Sequence, residues 1–268
     1  NGYISKISVD GQILTLGDAK EKFCVQSTSK AISYCIASEL NGQEKVHQHV
    51  GREPSGHGFN EITLDPKKRP HSPFINAGAI MTSSMVKPSF EPAERFDYVL
   101  DMWKRAAGGK QPTFNNAVYL SERATADRNF ALGYFMRENN SFPTNTKLIE
   151  TLEFYFQCCS IELTAESMAT VSATLANSGI CPLTQDKLFA PDTVKNCLSL
   201  MSSCGMYDYS GEWAYTIGIP AKSGVSGLII GIIPNVMGVA VFSPKLDEVG
   251  NSSRGIEFFK KLMVLFIL

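Results

Sequence analysis

The chain has 268 residues, 44% of them hydrophobic and 19% charged, with a formal net charge of −1. That is long enough for a full hydrophobic core and too apolar for a disordered segment. With no Lys/Arg-rich tract it carries no footprint for nucleic acid or an anionic membrane surface, and no stretch approaches the roughly 20 apolar residues of a membrane span.

Residues 3–9 and 12–16 alternate apolar and polar side chains about Asp10-Gly11, the pattern of a two-residue hairpin. The stretch Phe23-Cys24-Val25-Gln26-Ser27-Thr28-Ser29-Lys30 then leads into 31–37, an apolar run at helical spacing that stops before Asn41-Gly42, a C-cap signal. Ser27 is therefore expected at or just before the first turn of a buried helix, with Lys30 one turn on and sharing its face. The helix start supplies unpaired N–H groups and a positive dipole end beside Ser27. Burial and positive neighbours would lower the pKa of Lys30, so that a neutral amine takes the Ser27 proton, the chemistry of a Ser-x-x-Lys nucleophile. About one Ser-x-x-Lys is expected by chance in a chain this long. A second, Ser84-Met85-Val86-Lys87, ends an apolar run just before Pro88 and reads as a fraying helix terminus. Only Ser27 opens a helix.

Next come Val46-His47-Gln48-His49-Val50 and a loop of turn formers from Gly51 to Asn60. His47, His49, His57 and His71 match no metal spacing and read as surface or hydrogen-bonding residues. In Phe74-Ile75-Asn76-Ala77-Gly78-Ala79-Ile80-Met81, Asn76 is a polar residue within an apolar run, so it either ties down backbone or faces a ligand. Residues 91–138 are helical, with breaks at Gly108-Gly109 and near Pro112. Glu122 and Asn129, seven apart, share a face if their helix is unbroken; a solvated charge and a surface amide is the plainer reading. Helices follow at 148–158, 164–177 and 191–204, then strands at 213–219, 225–234 and 236–242, and a last helix at 256–268 whose apolar end is expected to dock on the core.

The order strands, helices, strands, helix predicts an α+β fold, with one antiparallel sheet built from both chain ends and a mainly helical section inserted. A single domain is expected over 1–268, with 1–24 and about 205–268 forming the sheet and its flanking helices, and about 25–204 mainly helical. The seven cysteines, 24, 35, 158, 159, 181, 197 and 204, are odd in number and form no C-x-x-C. They read as buried thiols of a reducing compartment, not as a disulfide framework or a zinc site.

Penicillin-recognising serine hydrolases set three elements around one cleft: Ser-x-x-Lys, a loop carrying Ser-x-Asn or a Tyr equivalent, and Lys-Ser/Thr-Gly on a strand. Here Ser27–Lys30, Cys204-Gly205-Met206-Tyr207-Asp208 and Lys222-Ser223-Gly224 follow in that order. The backbone N–H of Val225 could then complete an oxyanion hole with that of Ser27.

Several stretches resemble the glutaminase family: Gln26-Ser27-x-x-Lys30, Val50-Gly51-Arg52-Glu53-Pro54-Ser55-Gly56, Asn76-Ala77-Gly78-Ala79-Ile80, Asp127-Arg128-Asn129, Ser203 to Asp208, and Pro220 to Gly227. Phe154 to Glu162 is similar to the animal kidney- and liver-type enzymes. The resemblance implies a β-lactamase-like fold and hydrolysis of L-glutamine to L-glutamate and ammonia without metal or organic cofactor. It implies Ser27 as nucleophile, Lys30 as base, Tyr207 as proton shuttle, and the N–H groups of Ser27 and Val225 as the oxyanion hole. Gln26, Asn76, Glu122, Asn129 and Tyr155 match positions that hold the amino-acid end of glutamine. Inorganic phosphate as activator (Arg128 lying in the associated segment), a homotetramer and a mitochondrial location, with a cytoplasmic one as alternative, follow only from the likeness to animal enzymes.

Two departures stand out. The family has a substrate-contacting tyrosine a short way upstream of Asn1, so this segment alone is expected to be impaired. Glu61-Ile62-Thr63 replaces the Lys-Leu-Phe of a kidney-type gating loop near a subunit interface, which argues against sensitivity to the allosteric inhibitors that bind there. Rival readings are another Ser/Lys amidase or β-lactam-recognising hydrolase, and a catalytically impaired glutamine-binding subunit.

Overall fold

A computed structural model describes residues 2–56 and 61–267. In chain order the elements are β1 (Tyr3–Ser8), β2 (Ile13–Leu16), β3 (Lys22–Cys24), a 3-10 turn (Gln26–Thr28), α1 (Ser29–Asn41), α2 (Gln43–His49), α3 (Asn76–Ser84) and α4 (Pro92–Ala106). Then follow β4 (Thr113–Phe114), α5 (Asn116–Ala124), α6 (Asp127–Glu138), α7 (Leu148–Cys159), β5 (Ile161–Thr164), α8 (Ala165–Ala176) and α9 (Pro191–Cys204). A 3-10 turn (Tyr207–Tyr209), α10 (Ser210–Thr216), β6 (Ala221–Gly224), β7 (Leu228–Ile233), β8 (Met237–Phe242) and α11 (Ser253–Ile267) complete the chain.

The main sheet has the order β2-β1-β8-β7-β6 and is antiparallel throughout, so both chain ends meet in it as the pattern predicts. Successive side chains of a strand face opposite ways, and both faces are buried here. Leu228, Ile230, Ile232 and Ala240 join the large core beneath α8, whereas Ile229, Val239 and Val241 join a second core with Trp213, Ile256 and Phe259 from α10 and α11. The small residues of α8 allow close approach: a Cβ at Gly238 would lie 2.1 Å from the Ala173 nitrogen. In the helical section α1 is buried from Ser29 to Ser38, which makes it the axis about which that section packs.

Five expectations need correction. The first hairpin has no two-residue loop: Ile7 pairs with Ile13, the Ser8 N–H donates to the Gln12 carbonyl at 3.1 Å and the Gly11 N–H to the Ser8 carbonyl at 3.0 Å, so Val9, Asp10 and Gly11 all lie in the turn. Residues 213–219 form no strand; α10 occupies Ser210–Thr216, burying Trp213 and Ile217 one turn apart and leaving Tyr215 90% exposed. The Lys-Ser-Gly motif is itself strand β6, and Val225 stands in the turn after it, with β7 starting only at Leu228. Residues 22–24 pair with β5, not with the main sheet, in a small antiparallel sheet of order β3-β5-β4. In α11, Leu262 docks with Ile256 and Phe259, but Val264 and Leu265 remain exposed. The second Ser-x-x-Lys behaves as read: α3 ends at Ser84, and Lys87 lies beyond it over the rings of Phe90 and Tyr98.

Candidate active site

Strand β3 delivers the nucleophile segment. Val25 N–H donates to the Ile161 carbonyl (2.8 Å), and the chain then turns sharply, with Gln26 at φ +48°. Thr28 closes the turn through its N–H (3.1 Å) and hydroxyl (2.6 Å), both donated to the Val25 carbonyl. Ser27 is thereby held half-buried one residue short of full burial at Thr28. β6 lies close alongside: a Cβ at Gly224 would be 3.0 Å from the Val25 carbonyl oxygen, so a side chain there would press on the 3-10 turn.

Lys30 points inward and is only 1% exposed. Its amine donates to Asn76 Oδ1 at 2.6 Å. Burial lowers its pKa from 10.5 to about 8, opposed by the Coulombic influence of Cys159 and Glu122. Asn76, the first residue of α3, uses its side chain towards both neighbours. Oδ1 also accepts from the Tyr155 hydroxyl (3.3 Å), and Nδ2 donates to Asn129 Oδ1 (3.2 Å). The sequence left Asn76 open between tying down backbone and facing a ligand; it joins the side-chain cluster. Gln26 Nε2 donates to Glu122 Oε1 at 3.3 Å. The unbroken helix assumed for Glu122 and Asn129 does not exist, since α5 ends at Ala124 and α6 begins at Asp127. The two residues instead reach the cluster from separate helices. Tyr155, on α7, is buried, and that burial pushes its phenol well above the usual value, with Cys159 next in effect.

Tyr207 arrives from the far side, on the 3-10 turn after α9, with φ +54°. Burial pushes its phenol up, while interactions with the Ser27 hydroxyl and the Val225 N–H pull it down. Ser27 and Val225 thus lie near enough to the phenol to influence it, which brings the three into one neighbourhood. Tyr207 also lines a cleft of about 550 Å³, together with Pro54, Ser55, Glu61, Phe74 and Asp208. Glu61, in the segment that departs from the kidney-type gating loop, is among the lining residues; residues 57–60, His57 among them, lie outside the described residues.

The sequence singled out Lys-Ser-Gly but gave Lys222 no role. Its amine is fully buried, donates to the carbonyls of Gly205 (3.0 Å) and Ser223 (2.8 Å), and stands 4.6 Å from the centre of the Tyr207 ring. Burial and then the nearby Lys30 push its pKa well down. Lysine is rarely fully buried, and nothing in Ala-Lys-Ser-Gly marks it as such. Cys159 was also missed as a member of the site: burial raises its pKa to about 11, and Lys30, Tyr155 and Ser29 lie beside it. His47, by contrast, is a hydrogen-bonding residue as read, its ring between the Tyr34 hydroxyl (2.9 Å) and the Val50 carbonyl (3.0 Å). Among the described residues no group of three or more His, Cys, Asp or Glu side chains is gathered to hold a metal, and no helix is long and apolar enough to cross a membrane.

Comparison with known proteins places this arrangement. The family model described as Glutaminase matches residues 3–267. The chain is 52% identical over 264 residues to putative glutaminase 2 of Caenorhabditis elegans, covering 98% of this chain and 44% of the relative. It is 47% identical to the mitochondrial liver isoform of glutaminase from Mus musculus, again over 98% of this chain and 44% of the relative. Against these animal relatives the chain thus spans less than half their length, whereas it covers 77% of a 43% identical glutaminase from Nostoc. Among solved structures, a Bacillus glutaminase crystallised in the presence of 4.3 M NaCl superposes with a TM-score of 0.93 at 34% identity, over 100% of this chain and 91% of that one. A probable glutaminase from Bacillus subtilis gives 0.93 at 33% identity, over 100% and 88%. The α+β architecture is the β-lactamase-like fold of such structures. A match along the whole length, in sequence and in fold, leaves one conclusion: the chain belongs to the glutaminase family.

Proposed function

We propose that the chain hydrolyses L-glutamine to L-glutamate and ammonia through an acyl-enzyme on Ser27. The observation that carries this reading is the buried Lys30 amine, hydrogen-bonded to Asn76 Oδ1 at 2.6 Å and with its pKa lowered to about 8, one turn on from Ser27. Near neutral pH a useful fraction of that amine is uncharged and can accept a proton. The Ser27 oxygen attacks the γ-carbonyl carbon as its proton passes to Lys30, and the oxyanion is held by the N–H groups of Ser27 and Val225. Collapse breaks the C–N bond, with Tyr207 passing a proton to the departing ammonia and regaining one from Lys30. Water then attacks the ester, its proton returning through the same groups, and glutamate leaves.

The amino-acid end of the substrate fits the rest of the cluster. Glu122 can pair with the α-ammonium, while Gln26, Asn76, Asn129 and Tyr155 offer amide and phenol donors to the α-carboxylate. Replacing Glu122 by Gln removes the charge and keeps the shape. KM for glutamine should rise about tenfold or more, with kcat changing less. Steady-state kinetics check this, and an unchanged kcat/KM would make Glu122 a structural residue.

No metal or organic cofactor takes part in this scheme. A mitochondrial location belongs to the same reading and is supported by the likeness to a relative named as the mitochondrial liver isoform; activation by inorganic phosphate, assembly into a homotetramer and the cytoplasmic alternative rest on the resemblance of the sequence alone. Arg128, exposed in the first turn of α6 beside Asn129, is accessible to an anion. The reading as a whole is tested by ammonia release from L-glutamine against L-asparagine, with a chromogenic β-lactam alongside. Glutamine-selective turnover supports it, whereas β-lactam turnover alone would transfer the site to a different Ser/Lys hydrolase.

A further inference from the structure

Tyr207 sits in the left-handed region, at φ +54°, which costs a non-glycine residue on the order of 1 kcal/mol or more and persists only where the surroundings enforce it. The surroundings do so from two sides. The Ser210 hydroxyl donates to the Tyr207 carbonyl (2.7 Å) and accepts from the Met206 N–H (3.0 Å). Asn251 Nδ2 donates to the Met206 carbonyl at 3.3 Å. That carbonyl belongs to the peptide joining Met206 to Tyr207, whose rotation sets the φ of Tyr207.

Asn251 comes from outside the three motifs, in the loop between β8 and α11, and its side chain is fully buried. The loop fixes it in turn. Asp247 N–H donates to the Asn251 carbonyl (2.7 Å), and Asp247 Oδ1 accepts from the N–H groups of Asn251 (2.8 Å) and Val249 (3.0 Å). Gly250, at φ +94°, brings the loop against the site: a Cβ there would lie 3.7 Å from Val225 Cγ1 and 3.9 Å from the Tyr207 ring. One short loop therefore touches both Tyr207 and Val225. A buried amide that spends its donor on the one carbonyl preceding a strained tyrosine has a clear mechanical consequence.

We propose that Asn251 is a positioning residue for the reaction, holding the Met206–Tyr207 peptide so that the Tyr207 phenol stays aligned with Ser27. The inference rests on the reading of Tyr207 as the proton shuttle. It is tested by placing Asn251→Ala and Asn251→Leu in the wild-type and Tyr207→Phe proteins and measuring kcat, KM for glutamine and Tm. Leucine keeps nearly the side-chain shape without a donor or a charge, so the comparison stands if the alanine variant does not fold.

In the wild-type background both substitutions should lower kcat about tenfold or more and leave KM within about twofold. In Tyr207→Phe, where no phenol remains to align, they should lower kcat by less than about twofold further. Equal losses in the two backgrounds, or a fall in Tm with kcat intact, would overturn the positioning role. An inactive Tyr207→Phe beside a fully active Asn251→Ala overturns the positioning role alone. A fully active Tyr207→Phe overturns the proton-shuttle reading and the positioning role with it.

Discussion

Replacing Ser27 by Ala is expected to lower kcat for glutamine about 10⁴-fold or more, because the acyl-enzyme has no other oxygen on which to form. The fold should survive. Ser27 is half-buried, the 3-10 turn is closed by Thr28 and Val25 rather than by the serine, and one hydroxyl is lost without opening a cavity. Tm should move by no more than the effect of about 1 kcal/mol. Ammonia release and thermal unfolding on the same preparation check both halves. Retained turnover in a folded Ser27→Ala protein would remove Ser27 from the nucleophile's place.

Replacing Lys30 by Met should have two large effects of opposite sign. Activity should fall about 10²–10⁴-fold with the loss of the general base. Stability at neutral pH should rise. A lysine whose folded pKa is about 8 rather than 10.5 carries a burial penalty of roughly 3 kcal/mol wherever the pH lies below both values. Between about pH 8 and 10.5 the unfolded chain holds a proton that the folded chain lacks, so unfolding becomes harder as pH rises and the penalty fades. Methionine at this position removes it at pH 7, and Asn76 Oδ1 keeps the Tyr155 hydroxyl as partner. The variant's advantage in Tm should therefore be greatest below pH 8 and vanish near pH 10.5. The wild-type kcat/KM should rise with pH through about 8, as the amine becomes neutral. A wild-type rate that falls across that range, or a Lys30→Met protein less stable at pH 7, would contradict this account of Lys30.

The parts of the molecule legible in the sequence were those whose chemistry is local. Ser27 opening a helix, Pro191 starting α9 and a hairpin about Asp10-Gly11, its loop one residue longer than expected, each follow from a few adjacent residues and their backbone preferences. Residues 213–219 failed because Trp, Tyr, Thr and Ile favour strands on average, yet Trp213 is claimed by Phe259 of α11, ring against ring at 5.3 Å, and that contact is remote in sequence. The small sheet was invisible because strands of two to four residues are too short to show a period. Glu122 and Asn129 enter the cluster from two helices where one had been assumed, because the helix breaks between Ala124 and Asp127. Lys222 and Asn251 act across the fold on Gly205 and Met206, and nothing beside them in the sequence announces those partners.

The central claim is a glutamyl ester on Ser27, and trapping it is the most direct measurement. Protein turning over L-glutamine would be quenched in acid within the first turnovers, digested, and the peptide containing Ser27 weighed by mass spectrometry. The account predicts a γ-glutamyl adduct on Ser27, absent without substrate and absent in Ser27→Ala. An enzyme that releases ammonia while Ser27 stays unmodified, or that carries the adduct on another residue, would contradict it.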